Sequence, residues 1–223
     1  MLFRSLAAEW QTQGRGRRGR VWHATPGAAL TFSLLWRFQR GAGALSGLSL
    51  AIGIAVVRAL ARCAIADAGL KWPNDVIWRG RKLAGLLIEM QGEVNGPSAA
   101  VIGLGLNCRL PDALRDRIDQ PVVDLAQISE RAPDRNQLRA TILVENAQGL
   151  EQFAQTGFAA LRGEWQGYHV YQDKTVRLTL PDGGTLDGVA KGVDESGALL
   201  IETGTGLRRI HSGDVSLRIR NGV

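Results

Sequence analysis

The chain has few cysteines, few histidines and no long apolar run, and each shortage removes a class of protein. Only two cysteines, Cys63 and Cys108, and three histidines, His23, His169 and His211, occur in 223 residues. Two isolated cysteines build no disulfide framework and no CxxC pair, so both are read as reduced thiols of a cytoplasmic protein. The scattered histidines offer no zinc-binding spacing, and no metal ligands are expected. No apolar stretch approaches the roughly 20 residues needed to cross a bilayer. The longest, residues 48–60, is broken by Ser49, Gly53 and Arg58. The first eleven residues lack the apolar stretch and cleavage site of a secretory leader. GxxxxGK[ST] does not occur, which excludes a P-loop, and there is no repeat or low-complexity tract.

What remains suits a folded protein. Apolar residues make up 45% and charged residues 22%, enough for one sizeable domain or a medium one with a small partner. The net charge of +6 points to an anionic partner, either nucleic acid or a phosphorylated small molecule.

Patterning divides the chain near residue 167. Before it, residues 30–36 read as a strand, and Leu45, Leu48, Ile52, Val56 and Leu60 recur at helical spacing. Arg58 and Arg62 fall on one face of that helix and are expected to stay wet. The helix is expected to end across residues 66–69. A short strand through Trp78, a turn at residues 79–81 and the apolar run 83–88 follow. Residues 99–107 read as a strand buried on both sides. Residues 108–133, with Pro111, Pro121 and Pro133, read as irregular. Asp134 and Gln137 resemble a capping box opening a helix with Leu138, Ile142, Leu143, Leu150 and Phe153 on its apolar face. Gly157 interrupts it before Phe158, Leu161 and Trp165. Beyond 168, alternation at Val176, Leu178 and Leu180, turns at 181–184 and 194–197, and strands over 198–203 and 215–220 predict a small barrel.

Four segments carry chemistry. GRGRRGR (residues 14–20) follows Gln11 and alternates Gly14, Gly16 and Gly19 with Arg15, Arg17, Arg18 and Arg20. Glycines let a backbone close over a ligand, and guanidinium forks match carboxylates and phosphates. A phosphate clamp, a nucleic-acid-binding arm and a solvated loop all fit this run. KWPND (71–75) places Lys71 beside Trp72, stops the strand at Pro73 and offers Asn74 and Asp75. Lys82 opens KLAGLLIE, placing an ammonium at the edge of an apolar wall that Gly85 clears for a flat ligand; a solvated turn lysine is the alternative. In IGLGLN (102–107), Gly103 and Gly105 clear one strand face and Asn107 ends it. This last segment lacks the third glycine and following helix of a Rossmann turn; a tight strand crossing is its alternative.

The ordered set QxxGRGRRGR, KWPND, RKLAGLLIE and IGLGLN, with the tail GALLIE…GDVSLR, resembles the biotin protein ligase family over nearly the whole chain. The resemblance implies an α+β fold: a mixed sheet with helices on one side, like class II aminoacyl-tRNA synthetases, over residues 1–167. A small SH3-like barrel over 168–223 completes it. It implies ATP-dependent formation of biotinyl-AMP with Mg²⁺, then transfer of biotin to a lysine of the biotin carboxyl carrier protein of acetyl-CoA carboxylase. It implies no DNA or membrane partner and leaves a homodimer open. Gln11, Gly14, Arg15, Gly16 and Arg17 would bind biotin, with Gly85, Leu87 and Gly103 as pocket wall. Lys82 and Arg17 would be catalytic, Lys82 meeting both the carboxylate and the phosphate. Arg18, Arg20, Trp22, Lys71, Asn74, Asp75, Asn107 and, from the tail, Arg218 would serve the nucleotide. The family's winged helix-turn-helix and its Ser-Thr-Asn segment, which bonds the biotin ring, do not appear before Gln11, and Ser5 is no substitute. Weaker biotin binding is therefore expected than in a longer chain.

Overall fold

The computed structural model describes residues 4–92, 96–131, 133–180 and 183–211, and the backbone of residues 216–219. Its larger part is built on six strands: β1 (Arg4–Ala8), β2 (Ala29–Phe38), β3 (Ala68–Lys71), β4 (Asp75–Trp78), β5 (Arg81–Gly92) and β6 (Ser98–Asn107). They order as β1-β2-β6-β5-β4-β3, and every pairing between them is antiparallel. Parallel contacts occur only as isolated bridges among the described residues, Leu70 to His169 and Lys82 to Val122.

One face of this sheet is packed against helices and the other carries a cavity. Leu34, Ile102, Leu104 and Leu106 point into a core shared with α1 (Leu48–Arg62) and α4 (Arg135–Thr156). The α1 segment is apolar nearly all round, as a helix wedged between a sheet and a second helix must be. Asp134 caps α4 by accepting from the N–H groups of Asn136 and Gln137, and Gly157, at φ +70°, ends it. Asp134 therefore caps the helix as expected, although among the described residues no bond back from the Gln137 side chain is seen, and the apolar face from Leu138 to Phe153 holds. Residues 159–161 form a 3₁₀ turn leading into α5 (Arg162–Tyr168).

Several local expectations need correction. The first long helix stops at Arg62, and residues 68–71 form β3 rather than the end of that helix. Arg62 does stay exposed while pairing with Glu145, but Arg58 is half-buried against Glu164 rather than wet. The 108–133 segment holds two one-turn helices, α2 (Asp112–Arg115) and α3 (Leu125–Ile128). The β6 strand is buried on its even-numbered face, while Ala99, Val101 and Gly103 on the other are only partly covered.

The second sheet contains β7 (Thr175–Thr179), β8 (Thr185–Val193), β9 (Leu199–Thr203), β10 (Gly206–Ile210) and β11 (Ser216–Ile219). Its order is β10-β9-β8-β7-β11. Val176, Leu178, Ala190, Val193, Leu199 and Ile201 belong to the same buried cluster as the large sheet, so the two parts share one core. Trp72 joins them: fully buried, it donates its indole N–H to the Gly197 carbonyl at 3.0 Å. No helix among the described residues is long and apolar enough to cross a membrane.

Candidate functional site

A cavity of about 680 Å³ opens on the face of the large sheet away from the helices. The arginine segment forms its roof. Residues 14–22 fold back as a short hairpin: Arg15 bridges Val21, Gly16 N–H donates to the Arg20 carbonyl and Trp22 N–H to the Gly14 carbonyl, both at 2.8 Å. Arg18 and Gly19 form its tip with φ of +61° and +69°, as a type I′ turn requires. Gly14, Gly16 and Gly19 reproduce the spacing of a dinucleotide fingerprint, but this hairpin leads back into β2 and no helix follows.

The floor is made by two glycines. Gly85 on β5 and Gly105 on β6 are cross-strand partners, so their missing side chains clear one patch. Trp22 lies on it. A Cβ on Gly105 would come within 2.3 Å of the indole ring, and one on Gly85 within 3.6 Å. At Gly103 a Cβ would make ordinary contact with Leu87 at 3.5 Å, and the Trp22 ring does not reach that neighbouring patch.

The wall is the corner between β3 and β4. Asn74 is fixed to β5 by its amide, which donates to the Leu86 carbonyl at 2.6 Å, and by its own carbonyl, which accepts from Leu86 N–H. That leaves Asn74 Oδ1 toward Arg17, whose Nη1 donates to it at 3.4 Å. Its neighbour Asp75 accepts from Lys82 Nζ at 2.7 Å, and both side chains are about six-sevenths buried, at 14% and 16% exposure. The Lys82 ammonium also stands 6.0 Å from the Trp22 ring centre. Lys71 is buried with its ammonium 5.9 Å from the Tyr171 ring.

The structure brings Gln11, Gly14, Arg15, Gly16, Arg17, Arg18, Arg20, Trp22, Lys71, Asn74, Asp75, Lys82, Gly85, Leu87, Gly103 and Asn107 to the lining of this cavity. The Asn107 amide donates to the carbonyls of Val123 at 3.0 Å and Lys82 at 3.3 Å, so its nitrogen braces the wall. Arg218 sits on β11 opposite Arg177, and its side chain lies outside the described residues. Sequence reasoning missed Trp10, Thr31, Ser33 and the segment Arg117–Gln120, all of which reach the cavity. The period-two pairing of Thr31 and Ser33 with Gly105 and Gly103 would have found the first strand. Nothing local marks residues 117–120.

A cation-rich hairpin over a glycine-cleared sheet face defines a protein that holds a flat ligand beside an anion. Comparison with known proteins makes this specific. Residues 5–107 match the biotin/lipoate A/B protein ligase family, and residues 173–218 match the biotin protein ligase C-terminal domain. The chain is 34% identical over 214 residues to the biotin--[acetyl-CoA-carboxylase] ligase of Mycobacterium tuberculosis, covering 94% of this chain and 77% of that protein. It is 37% identical over 215 residues to the bifunctional ligase/repressor BirA of Escherichia coli, covering 95% of this chain and 65% of that protein. The chain thus spans just under two thirds of the length of the BirA relatives. The biotin protein ligase of Aquifex aeolicus, solved in complex with biotin and ATP, superposes with a TM-score of 0.82 at 30% identity, over 97% of this chain and 89% of that one. This chain belongs to the biotin protein ligase family. The nucleic-acid-binding alternative is not favoured by these relationships.

Proposed function

We propose that the protein activates biotin with ATP as biotinyl-5′-AMP and then transfers the biotinyl group to a lysine of a biotin carboxyl carrier protein in the cytoplasm. One observation carries this reading. Arg17 and Lys82, from separate segments, are held by the adjacent residues Asn74 and Asp75 beside a floor cleared of side chains. In the first step a carboxylate oxygen attacks the α-phosphorus and the bond to pyrophosphate breaks. Both reactants are anions, and two fixed cations in a partly enclosed site offset their repulsion where electrostatics is strongest.

Biotin is assigned to the patch at Gly103, with Gln11, Gly14, Arg15, Gly16, Gly85 and Leu87 around it. The nucleotide is assigned to the side of Trp22, Lys71, Asn74, Asp75 and Asn107, under Arg18 and Arg20; Arg218 completes this assignment from the tail. In the second step the acceptor amine attacks the acyl carbon and AMP leaves, so the hairpin's part is to position the adenylate and exclude water. Among the described residues no group of three His, Cys, Asp or Glu side chains could hold a metal. Mg²⁺ is assigned to the nucleotide's phosphates, which supply oxygen ligands of the kind it prefers. Residues 1–167 are assigned to the catalytic part and 168–223 to the small β module.

The test is biotin-dependent release of pyrophosphate from ATP, followed by labelling of a carrier protein. Lys82→Ala and Arg17→Ala should each lower the rate by about 10²–10³. Full labelling by both variants would remove the site assignment. A wild-type protein that releases no pyrophosphate in response to biotin would remove the function.

A further inference from the structure

We propose that Asp124 is a positioning residue for Lys82, acting through a strap formed by residues 121–123. The inference rests on the assignment of Lys82 to the activation step.

Lys82 lies where β5 has outrun its neighbour. The β5–β6 register begins only at Ala84 opposite Leu106, and after Asn107 the chain turns away. Lys82 still pairs with Ile77 of β4, but its other edge would be left without a strand. Instead the returning chain takes that place: Lys82 N–H donates to the Pro121 carbonyl at 2.9 Å, and Val123 N–H donates to the Lys82 carbonyl at 3.0 Å. Asn107 closes the gap by donating to the Lys82 and Val123 carbonyls. Asp75 holds the ammonium at one end of this side chain, and the strap fixes the backbone from which the other end starts.

The strap is in turn pinned by one carboxylate. Asp124 is 1% exposed and accepts three hydrogen bonds: from Leu110 N–H at 2.8 Å, Gln127 N–H at 2.9 Å and Arg115 Nη2 at 2.7 Å. Leu110 begins the excursion away from β6 and Gln127 lies in α3 after the return, so Asp124 ties its two ends together. The loop between them also carries Arg117–Gln120 to the cavity rim. A buried carboxylate is expensive unless saturated with donors. Three donors, one of them a guanidinium, make this one a rigid node, and its nearest consequence is the Lys82 backbone two residues away across the bridge.

The test combines kinetics with amide exchange. Asp124→Ala should lower kcat for biotin-dependent pyrophosphate release about tenfold and leave KM for biotin and ATP within about threefold. Asp124→Asn keeps an acceptor oxygen but loses the charge that faces Arg115, so it should fall between. In a Lys82→Ala background, Asp124→Ala should cost less than about twofold more, because it acts through the missing ammonium. Hydrogen exchange at the Lys82 and Val123 amides should quicken about tenfold in Asp124→Ala, while the Ile102 and Leu104 amides stay protected. An equal loss in both backgrounds, or unchanged exchange at Lys82 and Val123, overturns the proposal. If the wild-type protein shows no activity, the functional reading fails by itself, and the exchange experiment still decides whether Asp124 holds the strap.

Discussion

Replacing Gly105 with alanine tests whether Trp22 rests on the sheet as described. The added methyl would sit 2.3 Å from indole carbons Cε2 and Cζ2 and 2.8 Å from Nε1. Carbon atoms approach comfortably to about 3.5 Å, so the ring must retreat by about 1.2 Å or more. It can do so, because Trp22 is only partly buried and lies in the hairpin rather than the core. Stability should therefore change little, with a melting temperature lowered by less than about 4 °C, equivalent to about 1 kcal/mol in a chain of this size. Function should suffer more. The ring faces the Lys82 ammonium, and a displacement near 1 Å beside reacting groups can cost up to about 100-fold. The expected result is a 10- to 100-fold loss of kcat/KM for ATP, by an order-of-magnitude argument. It should be measured by biotin-dependent pyrophosphate release at matched melting temperatures. The same substitution in a Trp22→Ala background should cost almost nothing further. A kcat/KM within about twofold of wild type in the single variant would refute the seating of Trp22 on Gly105.

Two further outcomes follow from groups outside the cavity. Arg62→Ala leaves Glu145, 5% exposed, without its partner. Because Arg62 itself is largely exposed, the loss should be about 1–2 kcal/mol, below that of a fully buried pair, and Glu145→Gln in the same background should recover part of it in urea unfolding. His169 packs against Trp165 at 4.6 Å, and burial pushes its imidazole from 6.5 down to about 4, with Gln172 pulling only partly the other way. The unfolded chain then takes up a proton near pH 6.5 that the folded chain refuses until about pH 4. Stability should fall as pH drops through that window, by up to about 3 kcal/mol, and level off below it. His169→Gln should flatten the slope between pH 6.5 and 4.5; an unchanged slope would assign the acid sensitivity to other groups.

The parts of the fold that could be read from the chain are those whose signal is local and long. The helices over 48–62 and 135–156 and the strands over 29–38 and 98–107 each extend over ten or more residues with a consistent period. The pieces that escaped are short or bland. RSLAA has no alternation of strand type, yet pairs along β2 because that edge is available. AGLK is four residues long and owes its strand to Val76 and Ile77 opposite. The partners of Arg58 and Arg62 lie 106 and 83 residues away, beyond any local reading. At the site, the motifs named most of the lining, since three of them are strands and turns that the antiparallel register brings together. The register itself explains what composition could not: Gly85 matters because Gly105 is opposite it. The 117–120 rim escaped because its placement depends on Asp124, a single buried carboxylate in a stretch that otherwise reads as featureless.

The bond from Trp72 to Gly197 has a bearing on how this protein can be cut or recombined. A chain ended after residue 172 would strip the cover from an indole now 1% exposed and orphan its N–H. The corner that presents Asn74 and Asp75 would slacken with it. Such a fragment would report a damaged corner, not the native competence of the larger sheet. Grafting the small module from a relative faces the same demand. A Cβ at position 197 would lie 2.9 Å from the Gly47 Cα, and the backbone there stands at φ +83°, so a workable donor must bring a glycine to that turn.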